Sequence, residues 1–191
     1  GLVRTSGNQS YANPLSIPAG AATIQAADLD LQGTVSGSGS LTIEPFDPAS
    51  DINLGTAAAG SGLHLSAAEV ALLADGLAAI TIGAAGGTGT LTVDGASFND
   101  PLTLRAAQIR VDGSVAVDGD LSLQGELVGT ANGLTPGTGH SQIRLLGSAR
   151  TLDLSAASLY GEVEFPAAVG NQLTLIELAD AGSAVLGSFA G

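Results

Sequence analysis

The sequence predicts an all-β chain wound into coils that stack along one axis, a β-solenoid. Three observations carry this. Apolar residues alternate with single intervening residues in short runs along the whole chain. Gly, Asp, Asn or Ser turns separate the runs. The apolar share comes almost wholly from Ala, Val, Leu and Ile. The runs read LTI at 41–43, INL at 52–54, LHL at 63–65, ITI at 80–82 and LTV at 91–93. They continue as LTL at 102–104, IRV at 109–111, VAV at 115–117, LSL at 121–123, IRL at 143–145, LDL at 152–154 and LTL at 173–175. Strict alternation is the period of a strand with one face buried. So many strands of so few residues argue for a repeated coil rather than a compact globule. A rod of about eight or nine coils is expected.

The elements follow in order. Residues 1–20 contain NPLSIPAG, with Pro14 and Pro18, and read as an irregular lead-in. Strands are expected from Ala21 through AATIQA, LDLQGTV and LTIEPF. The stretch PFDPASD, 45–51, is a proline-marked corner between coils. Ser66-Ala67-Ala68-Glu69 is a capping box: Ser66 can accept from the N–H of Glu69, and Glu69 can reach back. AAEVALLAD follows, and Gly76 sits where a C-terminal cap belongs. A helical insertion over 67–75 is therefore expected between LHL and ITI. Too short to stand alone in water, it should pack on the coil, as a corner that shields an edge rather than as a functional lid. GAAGGTG, 83–89, lacks the Lys of a phosphate loop and leads into a strand. GSVAVDGDLSLQ, 113–124, reads as strands joined by Asp-Gly, and 129–142 as a loop. LDLSAASLYGEV and QLTLIEL close the chain before AVLGSFAG.

Composition narrows the partners. Gly is 28 of 191 residues, about twice the usual share, as tight corners require. The net charge is −13, with five Arg and no Lys. Nucleic acid needs a cationic stripe on its partner, so it is excluded as an expected ligand. Anionic membrane surfaces are disfavoured for the same reason. There is no Cys, which removes disulfides, thiolate metal sites and thiol nucleophiles. No apolar run is long enough to span a membrane. No signal peptide is visible at Gly1, and the abrupt ends suggest a segment of something longer.

Two stretches carry a resemblance. DINLGTAAAGSGLHLSAAEVALLADGLAAITIGAAGGTGTLTVDG, 51–95, resembles a unit of large bacterial exoproteins of the filamentous-haemagglutinin-like type. LTPGTGHSQIRLLGSARTLDLSAASL, 134–159, with GNQLTLIELADAGSAVLGSFAG after it, is similar to the passenger element beside the export domain of autotransporters. His140 departs from that pattern, in which an aromatic residue commonly follows Pro-Gly-Thr-Gly. The resemblance implies a right-handed parallel β-helix, with 1–191 a single solenoid segment of a longer exoprotein. It further implies type V-like secretion from a Gram-negative bacterium and an extracellular place on the bacterial outer surface.

Sites for chemistry are sparse. His64 lies mid-strand between leucines that point inward, so its side chain should face out; His140 lies in a Gly-rich loop. Neither has partners at zinc-ligand spacing. No GxSxG nucleophile elbow is present. Asp94, Asp112, Asp118 and Asp120 are weak candidates for Ca²⁺, since oxygen-rich turns can hold it. Asp-Gly is also an ordinary strand corner, and the Ca²⁺-binding nonapeptide repeat is missing. Thr42, Thr81, Thr92, Thr103 and Thr174 occupy outward strand positions, but their irregular spacing argues against a flat ice-binding array. Arg105 and Arg110 are the only arginines near each other in the first 130 residues, and aromatics are widely spaced, so a long acidic-sugar cleft is unsupported.

The expected function is structural or adhesive and non-catalytic, without a cofactor. The expected partner is a host or neighbouring-cell surface ligand or extracellular matrix material. The alternatives are a polysaccharide-active β-helix enzyme and a fibre subunit that self-associates end to end.

Overall fold

The structure is a computed structural model that describes residues 1–56 and 61–128, together with strands at 142–145, 152–153 and 157–160. The first coil is β1 (Leu2–Arg4), β2 (Gln9–Tyr11) and β3 (Leu15–Ile17); the second is β4 (Ala21–Ala26), β5 (Leu29–Leu31) and β6 (Val35–Gly37). The third begins with β7 (Ser40–Pro45) and takes in β8 (Ile52–Gly55), β9 (Leu63–Ser66) and α1 (Ala67–Val70). The fourth is β10 (Ala79–Ile82), β11 (Thr90–Asp94) and β12 (Ala96–Phe98). β13 (Leu102–Val111), β14 (Ser114–Val117), β15 (Leu121–Val128), β16 (Gln142–Leu145), β17 (Leu152–Asp153) and β18 (Ala157–Tyr160) carry the stack on.

The described residues form a parallel β-solenoid of about 6 turns with one short helix. A regular coil takes about 19 residues, the separation of Gln25 from Glu44 and of Arg105 from Gln124. The first face stacks β1, β4, β7, β10, the start of β13, the start of β15, and β17. β13 then turns a corner, where its ladder to β15 shifts between Arg105 and Gln108. The second face stacks β9, β8, β11 and the far halves of β13 and β15, then β18, with β2–β5 beneath. The third holds β3–β6 below and β12–β14–β16 above, with Val35 bridged to Leu73 between them.

Register explains the core. Ile24, Ile43, Ile82, Leu104 and Leu123 pair in one inward column. Leu63, Ile52, Leu91 and Ile109 form another on the second face. All of these are almost fully buried. Like side chains about 4.8 Å apart remove apolar surface at each step, so stability accumulates coil by coil.

The third coil departs from the repeat. Thr42 pairs with Thr81 one coil up, 39 residues later, the same separation as Asp51 from Thr90. The extra length supplies β8, a second strand on the second face, wedged between β9 and β11. α1 fills the corresponding level on the third face, packing on β8, β9 and β12.

Several expectations need correction. The first 20 residues, expected to be irregular, form a complete coil: Leu2–Arg4 pairs with Thr23–Gln25, and Gln9–Tyr11 with Leu29–Leu31. Main-chain pairing to a well-patterned neighbour outweighs their own weak alternation. The helix expected over 67–75 ends at Val70. Val35 takes over the chain beyond it, donating to the Leu72 carbonyl and accepting from Ala74 N–H. One coil consumes two lengths of sequence, which takes one turn off the expected eight or nine; the about 6 turns seen are those of the described residues. The run at 173–175 and the loop at 129–141 lie outside the described residues.

Candidate functional site

The Asp residues singled out from sequence fall at two different corners. Asp94 ends β11, where Oδ2 accepts from the Thr56 hydroxyl at 2.7 Å. Asp112 lies one coil on and pairs with Arg110 at 3.2 Å. Asp118 and Asp120 flank Gly119 at the turn from the third face back to the first. Main-chain bonds stitch that turn to its neighbour: Asp118 N–H donates to the Phe98 carbonyl, and the Asp120 carbonyl accepts from Leu102 N–H. Among the described residues, no group of three His, Cys, Asp or Glu side chains converges closely enough to hold a metal ion.

The residue that sequence reading missed is Asp100. It sits at the same turn, one coil below Asp118, and is only 4% exposed. Its Oδ1 accepts from Gly76 N–H at 3.0 Å, tying it to the turn that follows α1. Its Oδ2 is enclosed and has no hydrogen-bond partner among the described residues. Burial pushes the carboxyl above the ordinary value; the Gly76 and Leu77 N–H groups pull it down, and the charges of Asp75 and Asp118 push it up again. The sequence FNDPL gave no hint of this, because Asp before Pro is an ordinary turn signal.

Carboxylates have a second role around the inserted strand. Glu69 completes the predicted capping box with Ser66, whose N–H donates to Oε2 at 2.8 Å. Its other oxygen accepts from Leu31 N–H of β5 at 3.0 Å. Asp28 accepts from His64 N–H of β9 at 2.9 Å. β5 and β9 thus face each other through side chains. His64 is half-buried at the outward-facing middle position of β9, between the buried Leu63 and Leu65.

The outward surface of the first face is a regular polar array. Thr23, Thr42, Thr81, Thr103 and Ser122 lie in one column, in register. The irregular sequence spacing that argued against alignment arises from the long third coil. Thr92 lies instead on the second face, between Asn53 and Arg110, and Thr174 is outside the described residues. Beside the threonine column run Gln25–Glu44 at 3.0 Å and Arg105–Gln124 at 2.7 Å. A dent lined by Pro45, Pro48, Ile52, Gly87 and Arg105 has room for about one water molecule.

Compared with known protein families, with curated proteins and with solved structures, the chain has no match.

Proposed function

We propose that this chain is a structural and adhesive segment of a secreted bacterial surface protein, acting through reach and lateral surface and not through a reaction. One observation carries the reading: an 11-stranded parallel sheet wraps the first and second faces of the described stack, with an ordered polar column on the outer side of the first. Such a surface offers many weak, evenly spaced contacts to a surface ligand or to matrix material. Extracellular placement and type V-like export rest on the resemblance of 51–95 and 134–191 to exoprotein passengers.

The test is a paired assay of the purified chain. Retention on cell surfaces or matrix preparations, without turnover of acidic or neutral polysaccharides, supports the reading. Turnover abolished by changing a single carboxylate sinks it in favour of a sugar-active enzyme.

A further inference from the structure

Asp100 is enclosed between two turns that both carry acids. The turn below it contributes Asp75 beside the Gly76 N–H that Oδ1 accepts from. The turn above contributes Asp118, and the Gly119 backbone packs so tightly on Asp100 and Pro101 that a side chain there would overlap them. On its own turn the flanking residues are Asn99 and Pro101, which carry no charge. Among the described residues, the charged groups that bear on it are Asp75 and Asp118, both acidic. One oxygen is used by the main chain, and the other is enclosed without a donor. An ionised carboxylate in that position is costly, because burial removes water and only the Gly76 and Leu77 N–H groups stand in for it.

We infer that Asp100, enclosed between two acidic turns, keeps its proton to higher pH in the folded solenoid than in the unfolded chain and acts as an acid-set latch between the helix-bearing coil and the coil above. The protonated group keeps Oδ1 as an acceptor for Gly76 and removes the buried charge facing Asp75 and Asp118. The sign of the effect follows. The folded state holds this proton more firmly than the unfolded chain, where an Asp titrates near 3.8. Stability from this group is therefore full below the unfolded value and is lost as pH rises through the folded value. This is opposite in direction to a carboxylate held ionised by its partners.

The experiment follows the Asp100 side-chain carboxyl carbon by NMR in the intact chain across pH. A midpoint above 3.8 is expected; a midpoint at or below it overturns the latch. Asp118→Asn, which removes one facing charge, is expected to lower the midpoint. An unchanged midpoint would overturn the account of what surrounds the group. Thermal melts of Asp100→Asn give a second readout. The variant is expected to melt above the parent where the group is ionised and to lose that margin as pH falls toward the unfolded value of 3.8. A gap that stays constant or widens in acid overturns the proposal. So does a Ca²⁺-dependent rise in the parent's melting temperature at neutral pH that Asp100→Asn abolishes, because the buried oxygen would then take a cation. Should Asp100→Asn not fold, the parent's titration alone decides.

Discussion

The upper coils and the third coil bury similar side chains but satisfy their backbones by different means. From β10 upward, corners close on the main chain of the next coil. Ile80 N–H donates to the Pro101 carbonyl, Leu102 N–H to Asp120, Ala107 N–H to Gly89 and Asp112 N–H to Val93. Around the inserted strand, main-chain closures such as Leu63 N–H to the Asp51 carbonyl and Ala78 N–H to the Gly39 carbonyl persist, and carboxylates add to them. Asp28 serves His64, Glu69 serves Leu31 and Ser66, Asp51 serves Thr90 and Asp100 serves Gly76. The difference has a geometric cause. A coil of standard length brings each N–H over a carbonyl one level away. The third coil adds a strand on the second face and a short helix on the third, so levels no longer match the regular repeat, and side chains long enough to span the offset supply acceptors at these N–H groups. Much of the local acidity is therefore structural.

The largest effect should come from the regular side. Leu104 is fully buried between Ile82 and Leu123 in the inward column. Leu104→Asp or Ile82→Asp places a carboxylate there without a partner, at a cost of about 4 kcal/mol or more. Denaturant melts should show disruption of at least the two adjoining coils. A variant that melts within about 1 kcal/mol of the parent would mean that the column is not the source of stability.

Next comes Glu69, in the irregular coil. Glu69→Ala removes the acceptor of both Ser66 and Leu31 N–H groups and half of the capping box. A loss of about 3 kcal/mol is expected. Glu69→Gln keeps one oxygen and should recover part of it. If Glu69→Ala costs no more than an exposed substitution, the β5–β9 junction is held by something other than side chains.

Much of this contrast was legible beforehand, and its limits are instructive. The alternating triplets from LTI at 41–43 through LSL at 121–123 all lie in strands, because period-two burial is local information. The capping box was legible for the same reason: its partners lie three residues apart. What escaped depended on neighbours distant in sequence. Leu72 and Leu73 looked helical until Val35 supplied a strand partner. Residues 2–17 looked irregular until the second coil supplied pairing. The threonine column was hidden by the long third coil. Asp100 was hidden because burial is decided by the turns above and below it, while its own neighbours, Asn99 and Pro101, spell an ordinary turn.

A glycine tests the regular corners. Gly83, after β10, has φ +101°, and a Cβ there would overlap the Arg105 carbonyl oxygen one coil up. Gly83→Ala therefore combines an unfavourable backbone conformation with a clash against main chain, which cannot swing aside. A loss of about 2 kcal/mol is expected by chemical denaturation. A neutral result would mean that adjacent coils can separate at this corner without cost, contrary to the main-chain closure that distinguishes the upper stack.

The smallest effects separate the two regions most cleanly, because they compare polar side chains of similar standing. Gln124 accepts from the Arg105 guanidinium on the outer surface of the first face, where both backbones are already paired. Gln124→Ala should change stability by no more than about 0.5 kcal/mol. Asp28 is also part-buried, yet its oxygen is what the His64 N–H donates to. Asp28→Ala should cost about 1–2 kcal/mol, since it strands a main-chain donor in place of a side-chain pair. The informative quantity is the ratio of the two losses. Equal losses would erase the distinction between ornament on a complete ladder and replacement of a missing one. A clearly larger loss at Asp28 would establish that the inserted strand is accommodated by side chains standing in for backbone.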